Sequence, residues 1–293
     1  MRYRYLIGAL AIFGVLAAGG VCLWLSGSLI TFEGAGPIAT EEASLMLETT
    51  LLMLVVAIPV LFLLFFFAWR YRAGNKSARF EPEWEHSPID ELVWWAVPFE
   101  IILVLGAITW FSTHSLDPHK PLPAQGGALS VEVVALPWKW LFIYPLQGIA
   151  TVNYLEIPVG VPVNFSITSD APMNSFWVPQ LGGQIYAMTG MVNPLSLEAL
   201  SPGTYKGGSA NYSGEHFADM NFDVRAVNKS EFDAWAAHAH GAASAMLDQN
   251  EFEALAYPST STPGYYGAVS PGLFNFIVDS FDWGFTSGGA HNH

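Results

Sequence analysis

The sequence has a single cysteine, Cys22, in 293 residues. No internal disulfide can form, and no metal centre can be built from several thiolates of this chain. Charge is scarce too: only 12% of the residues are Asp, Glu, Lys or Arg, too few for an ordinary water-soluble protein. Basic residues are the scarcer sign, with 11 Lys and Arg against 25 Asp and Glu and a formal net charge of −14. That balance argues against nucleic acid as a partner. It suits either a basic protein partner or a solvated acidic surface.

In place of charge there is apolar sequence, 52% of the chain, much of it gathered into long runs near the N-terminus. Residues 1–30 open with Arg2 and Arg4 and continue into LIGALAIFGVLAAGGVCLWLSGSLI. A basic start before an apolar stretch is either a signal sequence or a first membrane span. Residues 31–113 are expected to form a transmembrane hairpin, with spans at about 45–69 and 89–111. Pro59 inside the first span should kink it rather than end it. Arg70, Arg72, Lys76 and Arg79 crowd the loop between the spans, which places that loop in the cytoplasm. The chain after about His114 then lies on the periplasmic side.

Beyond Leu129 the pattern changes to short β runs: SVEVVAL, KWLFIYP, ATVNYLEIP and VPVNFSIT. Pro and Gly separate them, and residues 125–227 are expected to fold as a Greek-key β-sandwich. Residues 228–293 are expected to be a helical extension with a disordered tail. Ser230 with Asp233, and Asp248 with Glu251, are spaced as helix-capping pairs. Pro271 stands where a third helix would begin.

Two loop clusters in the sandwich carry the chemistry, NSFWVP from Asn174 and SANYSGEHFADM from Ser209. They resemble the copper-binding loops of subunit II of the haem–copper terminal oxidases. In that family a His in the first loop and a C-x-E-x-C-x-x-x-H-x-x-M array in the second bind a dinuclear copper centre, since thiolate, imidazole and thioether are soft donors. Here Asn174 stands at the first His, Ser209 and Ser213 at the cysteines, Asn211 at the Glu and Phe217 at the second His. Met220 alone matches, and His216 is one residue early. The resemblance therefore implies a cupredoxin-like domain without copper, as in the bo-type ubiquinol-oxidase branch, joined to a two-helix membrane hairpin.

That branch implies further expectations. The chain would be a non-redox subunit of a proton-pumping enzyme in the bacterial inner membrane, with its C-terminal domain periplasmic. Haems and one copper would sit in subunit I, which takes electrons from ubiquinol and reduces oxygen to water; small subunits III and IV and membrane lipid would be further partners. Relatives often carry a lipidated cysteine near the N-terminus, and Cys22 lies at a suitable depth, although Val21 precedes it. Glu91, Trp95 and Pro98 match an E-x-x-x-W-x-x-P stretch in which the Glu helps admit protons to subunit I. The alternative for Glu91 is a solvated interfacial carboxylate. Glu100, about 13 Å deeper on the opposite helix face, departs from the family pattern.

Other candidates are weaker. His238 and His240 are about 200° apart around a helix and cannot grip one metal from one face. His291 and His293 could hold only adventitious metal. Trp138, Trp140, Met173, Met188 and Met191 are expected to be packing residues. Two other identities remain open at this point: subunit II of a copper-containing cytochrome c oxidase, and a free-standing membrane-anchored cupredoxin-like binding protein.

Overall fold

The structure, a computed structural model of the chain, describes residues 20, 33–78, 85–124, 126–242 and 245–281. Cys22 and the rest of the candidate leader, as well as His291 and His293 in the tail, lie outside the described residues. Two compact units are present. One is Ser44–Asp117; the other joins the segment ending at Ala43 to the chain from Pro118 onward.

The first unit is built on α1 (Pro37–Arg70) and α2 (Pro88–Ser115), both long and apolar enough to cross a membrane. Helix α2 begins where its sequence says it should. Ser87 caps it by accepting the Asp90 N–H at 3.4 Å, Pro88 occupies the first turn, and Asp90 and Glu91 sit at the positive end of the dipole. Pro59 and Pro98 lie inside continuous helices. Helix α1 starts eight residues before the expected span, because Pro37 and the helix formers after it extend the helix beyond the apolar run. None of the residues of α2 is buried by the chain itself.

The residues before Ala43 belong to the second unit and dock on its sandwich. Ala35 donates to Gln180 O at 2.7 Å and accepts from the Leu200 N–H at 2.8 Å, while Ala39 is 1% exposed. Gly36 permits this close approach, since a Cβ there would lie 2.4 Å from Glu198 O.

The sandwich runs β1 (Leu129–Leu136), β2 (Lys139–Tyr144), β3 (Ile149–Val152), β4 (Tyr154–Pro158), β5 (Val163–Ser169), β6 (Asn174–Trp177), β7 (Ile185–Ala187), β8 (Asn193–Leu197), β9 (Gly203–Ser209) and β10 (Asn221–Val227). One sheet holds β3-β2-β1-β5-β8 and the other β4-β10-β9-β6-β7. The pairs β1–β5 and β4–β10 are parallel, and the remaining pairs within these two sheets are antiparallel. The run ATVNYLEIP is two strands in two different sheets, not one. Asn153, at φ 56°, turns the corner between them, and its side chain accepts the Trp140 N–H at 2.8 Å and donates to Ser261 O at 2.7 Å.

Alternation along β1 sends Val131, Val133 and Ala135 into the core between the sheets, where Trp140, Phe142, Phe176 and Phe222 interlock. Val134 and Leu136 point the other way, into a second core. The chain after Val227 is only partly helical: Phe232, Ala236 and Ala239 of its first helix join the first core, and the residues from Leu247 onward build the second. Helices α3 (Lys229–Ala242), α4 (Gln249–Ala256) and α5 (Leu273–Asp279) alternate with strands β11 (Met246–Leu247), β12 (Gly264–Tyr266) and β13 (Ala268–Val269). Strand β12 pairs with β3 and makes the first sheet six-stranded; β11 pairs with β13. Leu247, Phe252, Leu273, Phe274 and Ile277 cover the outer face of β1–β3. Strands this short are fixed by pairing with an existing edge, not by local sequence.

Two of the expected caps differ. At α3 the Glu231 carboxylate accepts the Asn228 N–H at 3.3 Å, so the pair is Asn228 and Glu231. Asp233 is engaged instead by Lys229, 3.2 Å from both of its oxygens. Helix α5 starts after Gly272, at φ 79°, and not at Pro271. Asp248 caps α4 as expected, accepting the Glu251 N–H at 2.9 Å. Lys139 ties the extension to β2: its Nζ donates to Leu255 O (2.7 Å), Tyr257 O (3.0 Å) and Ser259 Oγ (2.7 Å).

Candidate functional site

Strand β6 and the loop after β9 lie side by side, with Phe176 opposite Ser209. That pairing gathers the positions that the sequence aligns with copper ligands. Asn174 is buried, and Ser209 Oγ donates to its Oδ1 at 3.0 Å while accepting the Asn211 N–H at 3.4 Å. Asn174 Nδ2 reaches Pro172 O at 2.7 Å, and Asn211 Nδ2 reaches Met173 O at 2.9 Å. The Ser209 N–H donates to Met220 O at 3.3 Å. Ser213 Oγ lies 4.0 Å from Met220 Sδ, and Met220 is 1% exposed. The two loops are therefore closed on each other by side-chain and backbone hydrogen bonds.

The donor chemistry decides what this arrangement can hold. Neutral hydroxyl and amide groups, one thioether and no thiolate are a poor set for copper, which binds tightly through sulfur and imidazole. Asn174 and Ser209 already satisfy each other, so the residues present do not fit a dinuclear copper centre. Phe217 opens a short 3₁₀ turn, Phe217–Asp219, and its ring packs 5.6 Å from that of Tyr212. His216 is occupied elsewhere: its Nδ1 lies 3.2 Å from Asp219 Oδ2, and its ring meets Trp138 edge-on at 4.9 Å.

Residues 124–227 match the family model described as cytochrome c oxidase subunit II, periplasmic domain, and residues 242–281 match a cytochrome oxidase aromatic-rich motif. The chain is 46% identical over 282 residues to cytochrome bo(3) ubiquinol oxidase subunit 2 of Pseudomonas putida, covering 96% of this chain and 88% of that one. It is 48% identical over 275 residues to ubiquinol oxidase subunit 2 of Acetobacter aceti, covering 92% and 89%. The chain belongs to the ubiquinol oxidase subunit 2 family. Quinol oxidase subunit 2 of Bacillus subtilis is a more distant member, 36% identical over 258 residues, with 87% and 80% covered.

For a subunit 2 of this kind, the aromatic pair beside the loops is structural. Trp140 is fully buried among Phe176 and Phe222, and its Nε1 donates to Met220 O at 3.4 Å. Trp138, held at φ 63°, donates to Ser213 O at 3.2 Å and so pins the second loop. The methionines differ from expectation: Met173 and Met191 are each 43% exposed, and only Met188 is half-buried. Their loops project past the strand ends, where no second layer covers them. His238 and His240 are both exposed on α3. The sequence reading overlooked Lys139, although a lysine inside the aromatic strand PWKWLFIYP is itself a signal of a buried anchor.

Glu91 lies in the first turn of α2, its Oε1 3.3 Å from His86 Nδ1. Glu100 is on the same helix and exposed.

Proposed function

We propose that this chain is the non-redox subunit II of a proton-pumping ubiquinol oxidase of the bacterial inner membrane, its sandwich and extension on the periplasmic side. It would assemble with a subunit I that holds the haems and one copper, and with small membrane subunits III and IV. Subunit I would take electrons from ubiquinol within the bilayer and reduce oxygen to water. The mutually satisfied Asn174–Ser209 pair carries the proposal, because it stands where a copper relay would need a His and a thiolate. A quinol donor dissolved in the membrane has no need of such a relay, and the sandwich is kept as a scaffold for assembly.

The test compares electron donors. Purified complex containing this chain should consume oxygen with ubiquinol, while reduced cytochrome c should be a negligible donor even if it binds the acidic surface. Sustained cytochrome c oxidation at a comparable rate would return the copper-relay alternative. Co-purification answers the third alternative: a chain isolated alone from membranes, with no haem-bearing partner, would mark a free-standing binding protein.

We further propose that Glu91, paired with His86 at the cytoplasmic end of α2, helps admit protons to subunit I. Its support is position alone: it is partly open to water and lies at the mouth of a largely apolar helix.

A further inference from the structure

The extension does not cover the whole outer face of β1. Val134 and Leu136 are sealed under it, but Glu132, two residues earlier on the same face, lies at its margin. Glu132 is in register with Ile143 on β2 and Ser166 on β5. A groove of about 340 Å³ opens there, walled by Ile143, Pro145, Leu273, Phe274 and Asn275, with Glu132 among its lining residues. Among the described residues Glu132 has no hydrogen-bond or ion-pair partner. Burial raises its carboxyl above the usual carboxylate range.

A carboxylate without a donor, on a half-covered apolar surface, calls for a donor-rich cation. The chain has little to offer. Between residues 118 and 281 there are thirteen carboxylates and five basic side chains. Lys206, Arg225 and Lys229 face Asp223, Glu156 and Asp233, Lys139 is held by three neutral oxygens, and Lys120, before β1, is not among the residues lining the groove. We infer that this groove receives an arginine side chain from a neighbouring subunit of the oxidase, with its guanidinium on the Glu132 carboxylate. Arginine fits better than lysine. Its planar group forks onto a carboxylate, and being weakly hydrated it tolerates the apolar walls formed by Ile143, Leu273 and Phe274.

The inference rests on the oxidase reading and can fail separately from it. Asn275, exposed on the groove wall, is replaced by the photoreactive p-benzoyl-phenylalanine in the full chain, and membranes containing the assembled enzyme are irradiated. The expected product joins position 275 to a peptide of another subunit with an arginine within a few residues. Glu132→Gln in the same background should lower the yield several-fold. In the lone chain in detergent, Glu132→Gln should leave Tm unchanged or higher, because it removes an unpaired, desolvated carboxylate. A lowered Tm would make Glu132 a structural residue and overturn the inference. So would an unchanged yield, a peptide without arginine, a cross-link to this chain's own residues 282–293, or no cross-link in haem-replete membranes. Membranes in which no haem co-purifies with the chain would overturn the oxidase reading instead.

Discussion

At the residue scale, the loop site is closed by neutral side chains that bond to one another. Asn174 and Ser209 close a hydrogen bond of 3.0 Å, and Met220 stays buried with Ser213 4.0 Å away. Because the backbone pairing of β6 and β9 is in place, restoring the donors should restore the site. The variant carrying Asn174→His, Ser209→Cys, Asn211→Glu, Ser213→Cys and Phe217→His is expected to bind copper and give the intense visible absorption of a Cu–thiolate centre. A colourless protein after copper addition would mean that the loops have drifted from ligand geometry. Glu91 is tested differently. Glu91→Ala should slow ubiquinol oxidation about 10-fold or more, in the range of a lost proton-transfer group, with haem content unchanged. Wild-type turnover across a pH series would reduce Glu91 to an interfacial carboxylate. The six loop positions were read from the resemblance to the family's copper loops, and the structure places Asn174, Ser209 and Asn211 within hydrogen-bonding reach of one another. The exposure of Met173 and Met191 was not legible, because residue type says nothing about where a loop projects.

At the element scale, the extension is held by packing and by one lysine. Lys139 is 1% exposed, and its ammonium meets only neutral oxygens at the C-terminal end of α4. Burial pushes its pKa down, yet the carbonyls at a helix C-terminus favour a cation. Lys139→Met keeps the aliphatic stem and removes three hydrogen bonds, and should cost about 1–3 kcal/mol. Limited proteolysis should then cut first between residues 255 and 262. Unchanged cleavage and Tm would show that the second core suffices without the lysine. The strands of the sandwich were readable as alternating apolar runs, and α1 and α2 as long apolar ones. The corner at Asn153 was not, because a lone Asn within a run of β-formers is only a weak turn signal, and the switch of sheets depends on that one residue adopting φ 56°. Strands β11–β13 were hidden for another reason: two- and three-residue strands exist only through the edges they join.

At the scale of the whole molecule, an acidic chain has placed some of its carboxylates in poor solvent. Burial raises the carboxyl groups of Glu132, Glu156 and Asp170; for Glu156 the Arg225 guanidinium, 3.4 Å away, offsets part of the rise. A raised carboxyl holds its proton more tightly in the folded chain than in the unfolded one. Between the unfolded value, about 4, and the raised values, the folded state therefore binds more protons, and stability falls as pH rises. The full chain in detergent should melt at higher temperature near pH 5 than near pH 7, as followed by near-ultraviolet circular dichroism. A Tm that drops steadily on acidification would point to salt-bridged carboxylates as the dominant group.

Strand β12 also bears on the fate of the protein before assembly. Without residues 264–266, β3 would end its sheet with a row of open N–H and C=O groups along Ile149–Val152, four residues with no charge and no proline. Such an edge is a template for strand addition from a second molecule. At the opposite margin β8 carries Pro194, which has no N–H to offer. One margin of the sheet is thus blunted by its own sequence and the other by a segment more than a hundred residues downstream. Until the ribosome has delivered that segment and it has docked, the sandwich is open to self-association.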